Sequence, residues 1–336
     1  MRFIYDKYGY RAIFNETTGQ SIRFEKERND RLWKKSGPEL LDVSITNYCE
    51  RNCNFCYRGS STSGKNMSLE LYESIIAEAK TAGIFQIALG GGNPNQHPDF
   101  IDFLRIAREN RIIPSYTTNG QGITETILQA TKKYAGAVAI SWYEPYENVI
   151  SIINEFYDLK MTINIHYVLD NDNIREAKDL LTHKILEKVN ALIFLNYKPV
   201  GAKKRNILRK SEELSTFLNT LMNFNRCKIG FDSCMVSHLT SCQEKINPES
   251  IDYCEAARYS AFISEDGNMY PCSFMCGTQV EGYSLLNNNL IDIWQNSRTF
   301  MRTRDSLFNQ KVNCKNCKSF TFCHGGCPYF PINCLE

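Results

Sequence analysis

Between residue 41 and about residue 226, short apolar runs alternate with amphipathic stretches six times in succession. The runs 41–46, 85–89, 112–117, 137–142, 161–168 and 191–196 have the length and β-branched content of buried strands. The stretches 68–82, 99–110, 123–134, 147–159 and 173–188 carry a helical period, and 211–224 adds a sixth. Six βα units in a row predict an α/β fold with a parallel sheet and helices outside it. Periodicity alone does not separate an open, doubly wound sheet from a barrel. In either case ligands bind at the carboxyl ends of the strands, and here all six ends are polar or glycine-rich. Three cysteines follow the first, Gly90-Gly91-Gly92-Asn93-Pro94 the second and Thr117-Thr118-Asn119-Gly120 the third. The fourth ends in Ser141-Trp142-Tyr143-Glu144, the fifth in His166-Tyr167 and the sixth in Asn196-Tyr197-Lys198-Pro199. One shared site at that end is the expectation.

The three cysteines are Cys49, Cys53 and Cys56, spaced C-x3-C-x2-C on one tight loop. Thiolate-rich sets favour iron–sulfur clusters or zinc. A four-iron cluster takes four cysteine ligands, so a three-cysteine loop leaves one iron free to hold something else, as catalytic metal sites do. With Phe55 before the last cysteine, the segment resembles the signature of the radical S-adenosylmethionine (SAM) enzymes. The resemblance implies a partial (β/α)6 barrel of TIM type and a [4Fe–4S] cluster on Cys49, Cys53 and Cys56 whose free iron chelates SAM. Reductive cleavage of SAM then yields a 5′-deoxyadenosyl radical.

Further segments are similar to that family's SAM contacts. Gly91, Gly92, Asn93 and Pro94 stand where the family has Gly-Gly-Glu-Pro; an amide replaces the usual acid, keeping a hydrogen-bond acceptor without its charge. Tyr57, Thr118, Asn119 and Ser141 fall at positions implied to line the cofactor cavity. Their plainer roles are capping and turn formation. His97-Pro98-Asp99-Phe100 continues the pattern, with Asp99 as a helix N-cap. His166, Tyr143 and Glu144 are candidates for catalysis, and Tyr167 for a substrate contact.

Fourteen cysteines are present, and eleven of them fall at or after Cys227. The tail reads Cys254-x12-Gly267-x4-Cys272, then Cys314-x2-Cys317-x5-Cys323-x3-Cys327, then Cys334. The middle quartet alone also suits zinc. The whole spacing resembles the SPASM extension of radical SAM enzymes, which carries two auxiliary [4Fe–4S] clusters. The resemblance implies that Cys314, Cys317, Cys323 and Cys334 hold the distal cluster and Cys254, Cys272 and Cys327 the proximal one. Cys234 and Cys242 are both open as a fourth proximal ligand. Cys227 and Cys276 read as free thiols, and His324 as a turn residue.

The expected organisation is a β-hairpin and charged helical linker over 1–40, the radical SAM barrel over 41–226 and a SPASM domain over 227–336. The resemblance implies an oxidoreductase that matures a ribosomally made (RiPP) precursor peptide by forming an oxidised thioether or carbon–carbon crosslink. Sulfatase-maturase-like protein oxidation is the alternative. That class carries an aspartate after the cysteine matching Cys272, where this chain has Ser273. Small-molecule radical chemistry and a zinc-binding interaction protein are the others. Implied partners are the peptide and an electron donor such as flavodoxin or ferredoxin; since 40 residues are too short for a winged-helix leader domain, leader recognition needs a separate leader-binding protein or the small hairpin. Net charge is +2, so no overall field calls for nucleic acid. Lys203-Lys204-Arg205 reads as a solvated helix start. No apolar run is long enough to span a bilayer, and Met1–Lys7 lacks a signal-peptide core, so a cytoplasmic location is expected.

Overall fold

Each apolar run of the central region pairs along its length with the next. The computed structural model describes all residues except 25–31, 54, 201–204, 248–249, 310–313, 315, 331 and 333–336. The strands are β4 (Leu40–Thr46), β5 (Gln86–Gly91), β6 (Ile113–Thr118), β7 (Ala137–Ser141), β8 (Ile163–Leu169) and β9 (Ala191–Asn196), after three shorter strands at the start of the chain. Between and after them run α1 (Leu69–Thr81), α2 (Phe100–Glu109), α3 (Glu125–Tyr134), α4 (Tyr146–Asp158), α5 (Ile174–Thr182) and α6 (Glu212–Leu221). The 173–188 stretch breaks at His183, and a 3-10 turn over Lys184–Lys188 follows α5. All neighbouring pairs from β4 to β9 are parallel. The six units therefore wind one way, and the curved sheet is a partial (β/α)6 barrel.

Alternation along the strands separates two environments. In β8, Ile163, Ile165, Tyr167 and Leu169 are buried against the helices, while Asn164, His166 and Val168 face the other side. Ser68, Thr124 and Ser211 cap α1, α3 and α6 through their hydroxyls. Asp99 does occupy the N-cap position of α2, but its side chain makes no capping bond. Instead its N–H donates to His97 Nδ1 at 3.0 Å.

The first residues form three antiparallel strands, not two: β1 (Arg2–Tyr5), β2 (Arg11–Phe14) and β3 (Ser21–Phe24). Asp6 makes the extra turn, because its Oδ1 accepts from the N–H groups of Tyr8 (2.8 Å) and Tyr10 (3.0 Å) and folds the run back. Phe14 of this small sheet packs on Phe85 with ring centroids 4.7 Å apart, so the sheet covers the amino ends of the barrel strands. The start of the expected helical linker lies outside the described residues, and 32–38 holds no helix.

The tail does not sit apart from the barrel. Beyond β9, β10 (Lys228–Phe231) extends one edge in parallel, while β11 (Ser260–Ile263) pairs in parallel with β4 at the other. Two antiparallel strands, β12 (Asn268–Tyr270) and β13 (Tyr283–Ser284), complete a ten-stranded sheet. Gly267 makes the turn between β11 and β12 at φ 75°, a conformation that favours glycine. The helices α7 (Leu290–Asn296), α8 (Arg298–Phe308) and α9 (Phe320–Cys323) follow. No helix among the described residues is long and apolar enough to cross a membrane.

Arg23 ties these parts together. Its guanidinium makes a fork on Glu39 (2.7 and 3.0 Å), reaches Glu255 at 2.9 Å and also pairs with Asp252. Glu39 is 4% exposed, so removing the cation strands a buried carboxylate. Arg23→Met is expected to lower stability by about 3 kcal/mol, read as a lower urea midpoint with an unchanged slope.

Candidate active site

The carboxyl ends of the strands converge on a cavity of about 370 Å³. Cys49, Cys53, Cys56, Tyr57, Gly91, Gly92, Thr118, Asn119, Ser141, Tyr143 and His166 all line it. Asn93, Pro94 and Glu144 do not. Glu144 lines a neighbouring pocket of about 430 Å³, with Trp142, Tyr146 and Tyr167. Tyr167 is otherwise core: it is buried in the helix layer and its hydroxyl donates to Asn173 O at 3.1 Å.

The thiol loop is held by backbone contacts. Gly92 N–H donates to Thr46 O at 2.6 Å and Asn93 N–H to Tyr48 O at 2.9 Å, locking the second strand's glycine turn against the start of the loop. A Cβ at Gly92 would lie 2.0 Å from Tyr48 O, and one at Gly91, whose φ is 106°, would lie 2.1 Å from Thr46 O. Only glycine fits both contacts. Cys49 N–H donates to Ser61 O at 3.0 Å, and Asn119 Nδ2 lies 3.5 Å from Cys49 Sγ.

Asn93 supports this wall from behind. Its Oδ1 accepts from Thr118 Oγ1 (3.0 Å) and Asn119 N–H (3.2 Å), and its Nδ2 donates to Gln121 O at 2.9 Å. An amide supplies both the acceptors and the donor that this position needs; a carboxylate supplies no donor.

Among the described residues, no three His, Cys, Asp or Glu side chains close round a single metal ion. A four-iron cube is gripped at its corners, and its ligands stand further apart than those of one ion. Three thiols ringing one cavity beside exposed backbone fit such a cube, with a fourth corner left over.

A second set of thiols lies behind the cavity wall. Cys254 neighbours Cys327 and Cys272, and Cys234 neighbours Cys254 and Cys327. Burial first, and then the adjacent thiols, push Cys254 up to about 12. Burial likewise pushes Cys272 up to about 11, against the opposing pull of Lys198. Four thiols grouped in this way are a donor set suited to an iron–sulfur group. Cys242 lies elsewhere, buried in the main core with its Sγ 3.3 Å from Leu239 O. Cys314 and Cys323 are buried and Cys317 is exposed, while Cys334 lies outside the described residues. Cys227 and Cys276 are half-buried free thiols, the latter beside Arg58 and Tyr270. His324 ends α9 at φ 51°, as a turn residue does.

Two charged groups in the cavity receive no role from a reading of sequence alone. Asp42, inside β4, faces the cavity, and burial lifts its carboxyl to about 6 against the pull of Arg58. It forms no hydrogen bond among the described residues. The only signal in sequence is a carboxylate in an apolar run. Lys198, past the end of β9, is 3% exposed and also lines the cavity. The two sets of thiols are joined by Tyr57 of the first loop, stacked on Phe274 at 4.2 Å. Arg205, expected to be solvated, instead pairs with buried Asp170 at 2.9 Å and covers the Phe55 ring at 3.8 Å.

Gly92→Ala must displace Tyr48 and the loop that follows it. It is expected to cost several kcal/mol, about 2 to 4, and to lower the thermal midpoint more than Gly277→Ala, which carries the backbone strain of φ 78° but no atom within 4 Å of its Cβ. His166 gives a pH test. Burial lowers it to about 4, below the roughly 6.5 of an unfolded histidine, so as pH falls the unfolded chain binds a proton first. Its contribution is intact above about pH 6.5 and is lost progressively toward pH 4. His166→Gln should therefore narrow the gap between thermal midpoints measured at pH 7 and pH 5.

Comparison with known proteins agrees with this geometry. The model of the radical SAM superfamily matches residues 43–182, and that of SPASM, an iron–sulfur cluster-binding domain, matches residues 254–318. The mycofactocin maturase MftC of Mycolicibacterium smegmatis is 23% identical over 313 residues, covering 86% of this chain and 78% of that protein. The PqqA peptide cyclase of Bradyrhizobium diazoefficiens is 19% identical over 325 residues, covering 86% and 81%. In fold, the chain is similar to Streptococcus suis SuiB, crystallised with S-adenosylmethionine, at a TM-score of 0.71 and 20% identity, over 87% of this chain and 73% of that one. The chain thus carries a radical SAM domain followed by a SPASM domain.

Proposed function

We propose that this enzyme matures a ribosomally made peptide by radical chemistry, closing an oxidised crosslink. The observation that carries the reading is the single cavity onto which three thiols, a glycine-only wall and six strand ends converge. The maturase and cyclase relatives, which align over most of both chains, support a peptide as the substrate. In this reading residues 41–226 form the radical SAM barrel and 227–336 the SPASM part.

Cys49, Cys53 and Cys56 hold the SAM-binding cluster. Cys254, Cys272 and Cys327 hold a second, with Cys234 rather than Cys242 as the fourth ligand, because Cys234 is the one placed among them. Cys314, Cys317, Cys323 and Cys334 hold a third. When bound, the clusters and SAM supply a radical that takes a hydrogen atom from the peptide and an acceptor for the electron left behind. The protein's own residues position and discharge. Gly91 and Gly92 let the backbone approach the methionine end of SAM, and Asn119 and Ser141 offer polar contacts further round. Asn93 acts indirectly, by fixing Thr118 and Asn119. His166, neutral at physiological pH, lines the substrate side. Asp42 is the carboxylate at hand for the proton released as the new bond closes. A reduced flavodoxin or ferredoxin provides the priming electron, and a separate leader-binding protein delivers the peptide.

The test is anaerobic reconstitution with a strong reductant and SAM, followed by co-incubation with a candidate precursor peptide. The wild type should release 5′-deoxyadenosine and return a peptide lighter by two hydrogens per crosslink. Cys49→Ala/Cys53→Ala/Cys56→Ala should do neither. A mass shift that persists in the triple variant would remove the radical mechanism.

A further inference from the structure

Lys198 is a cation buried between the cavity and the second set of thiols. Its Nζ lies 3.4 Å from Asn196 O and 3.4 Å from Asp232 Oδ2, and it also donates to Cys234. An ammonium has three donors, and these three acceptors use them all. The charge also sits 3.9 Å over the Phe274 ring. With 2% of its side chain exposed, Lys198 cannot turn outward to meet a substrate. What it offers is a fixed positive field, one charge wide, on the side of Cys234 and Cys272 that faces the cavity.

We propose that Lys198 is a positioning residue that sets the reduction potential of the iron–sulfur group held by Cys234, Cys254, Cys272 and Cys327, raising it so that this group accepts an electron from the cavity side. The inference rests on the ligand reading above. Its physical basis is general: potentials of such centres rise with hydrogen bonds to the ligand sulfurs and with added positive charge nearby. Lys198 provides both through one bond, in a site where burial leaves the charge poorly screened. Asp232 tempers it. Its Oδ2 faces Lys198, while its Oδ1 accepts from Asn196 and Met235 N–H groups and builds the turn.

That division of labour gives a test with opposite signs. In Cys49→Ala/Cys53→Ala/Cys56→Ala protein, loaded with iron and sulfide, the two auxiliary centres are titrated by EPR against potential. Lys198→Met should shift one of them to a more negative potential by roughly tenfold in the one-electron equilibrium, about 59 mV. Asp232→Asn keeps an Oδ1 acceptor and loses the charge, so it should shift the same centre the other way. Lys198→Arg should stay near the wild type, and the other auxiliary centre should move in none of them. Shifts of the same sign, no shift, or a shift of both centres together would overturn the proposal. If Lys198→Met loses iron and sulfide, the Asp232→Asn and Lys198→Arg pair decides by the same signs. Wild-type protein that takes up no auxiliary centre at all would instead overturn the ligand reading on which the inference stands.

Discussion

The contact on which the site depends is one of backbone with backbone. Where the chain leaves β4, it passes between two glycines, and a Cβ on either would overlap it: at Gly64 it would lie 1.9 Å from Asn47 O, and at Gly92, 2.0 Å from Tyr48 O. Residues 47 and 48 are therefore clamped before the first thiol is reached. Cys49 then has little choice of position, being held to Ser61 O and touched by Asn119. A loop carrying three thiols would otherwise be free to scatter them, since nothing in C-x3-C-x2-C by itself dictates a shape. The glycine run after the second strand is thus as much a part of the thiol loop as the cysteines are.

How far this was legible in the sequence follows from the range of the interactions involved. The six strands and their helices are set by local period and propensity, and they lie within a few residues of where the pattern puts them. The thiol loop and the glycine turn follow from spacing. What stayed hidden depends on contacts between residues far apart in the chain. Arg205 looked like part of a surface charge run because its partners, Asp170 and Phe55, are reached only through folding. Asn93 looked like a weakened ligand position. It is a bracket, and the bonds that show this come from Thr118, Asn119 and Gln121 on the next strand's turn. The third N-terminal strand was missed for a local reason: Asp6 turns a run that reads as continuous.

The tail presents a different case. Its cysteine spacing was plain, yet spacing does not say that β10 and β11 would join opposite edges of the barrel sheet. That arrangement is what brings the second set of thiols against the cavity wall. β10 leads directly into Asp232 and Cys234, and the turn after β12 brings Cys272, Ser273 and Phe274. Choosing between Cys234 and Cys242 from sequence was not possible, as both precede Cys254 at workable distances. The sheet separates the two, because Cys234 follows a strand that ends at the cavity while Cys242 lies in a 3-10 segment packed into the core.

Seen from inside the cavity, the two sides differ in kind. The side that carries the first thiols has Arg51 as its charged side chain, beside backbone, aromatic rings, amides and hydroxyls. The opposite side carries Lys198 with Asp232, and Asp42 faces the same cavity from β4, near Tyr57 and Cys272. Polar backbone suits a ligand that brings its own charges and must be gripped at many points. Buried ionic groups suit a different task, since each one costs desolvation and persists only where partners hold it. Lys198 has three such partners, while the Asp42 carboxyl feels the pull of Arg58 without a hydrogen bond to a described residue. The cation is locked in place by these contacts, while burial lifts the Asp42 carboxyl toward neutrality. In the function proposed above, the fixed positive charge lies on the electron's way out and the carboxyl beside it takes up the proton, so the two buried groups divide the work of an oxidation.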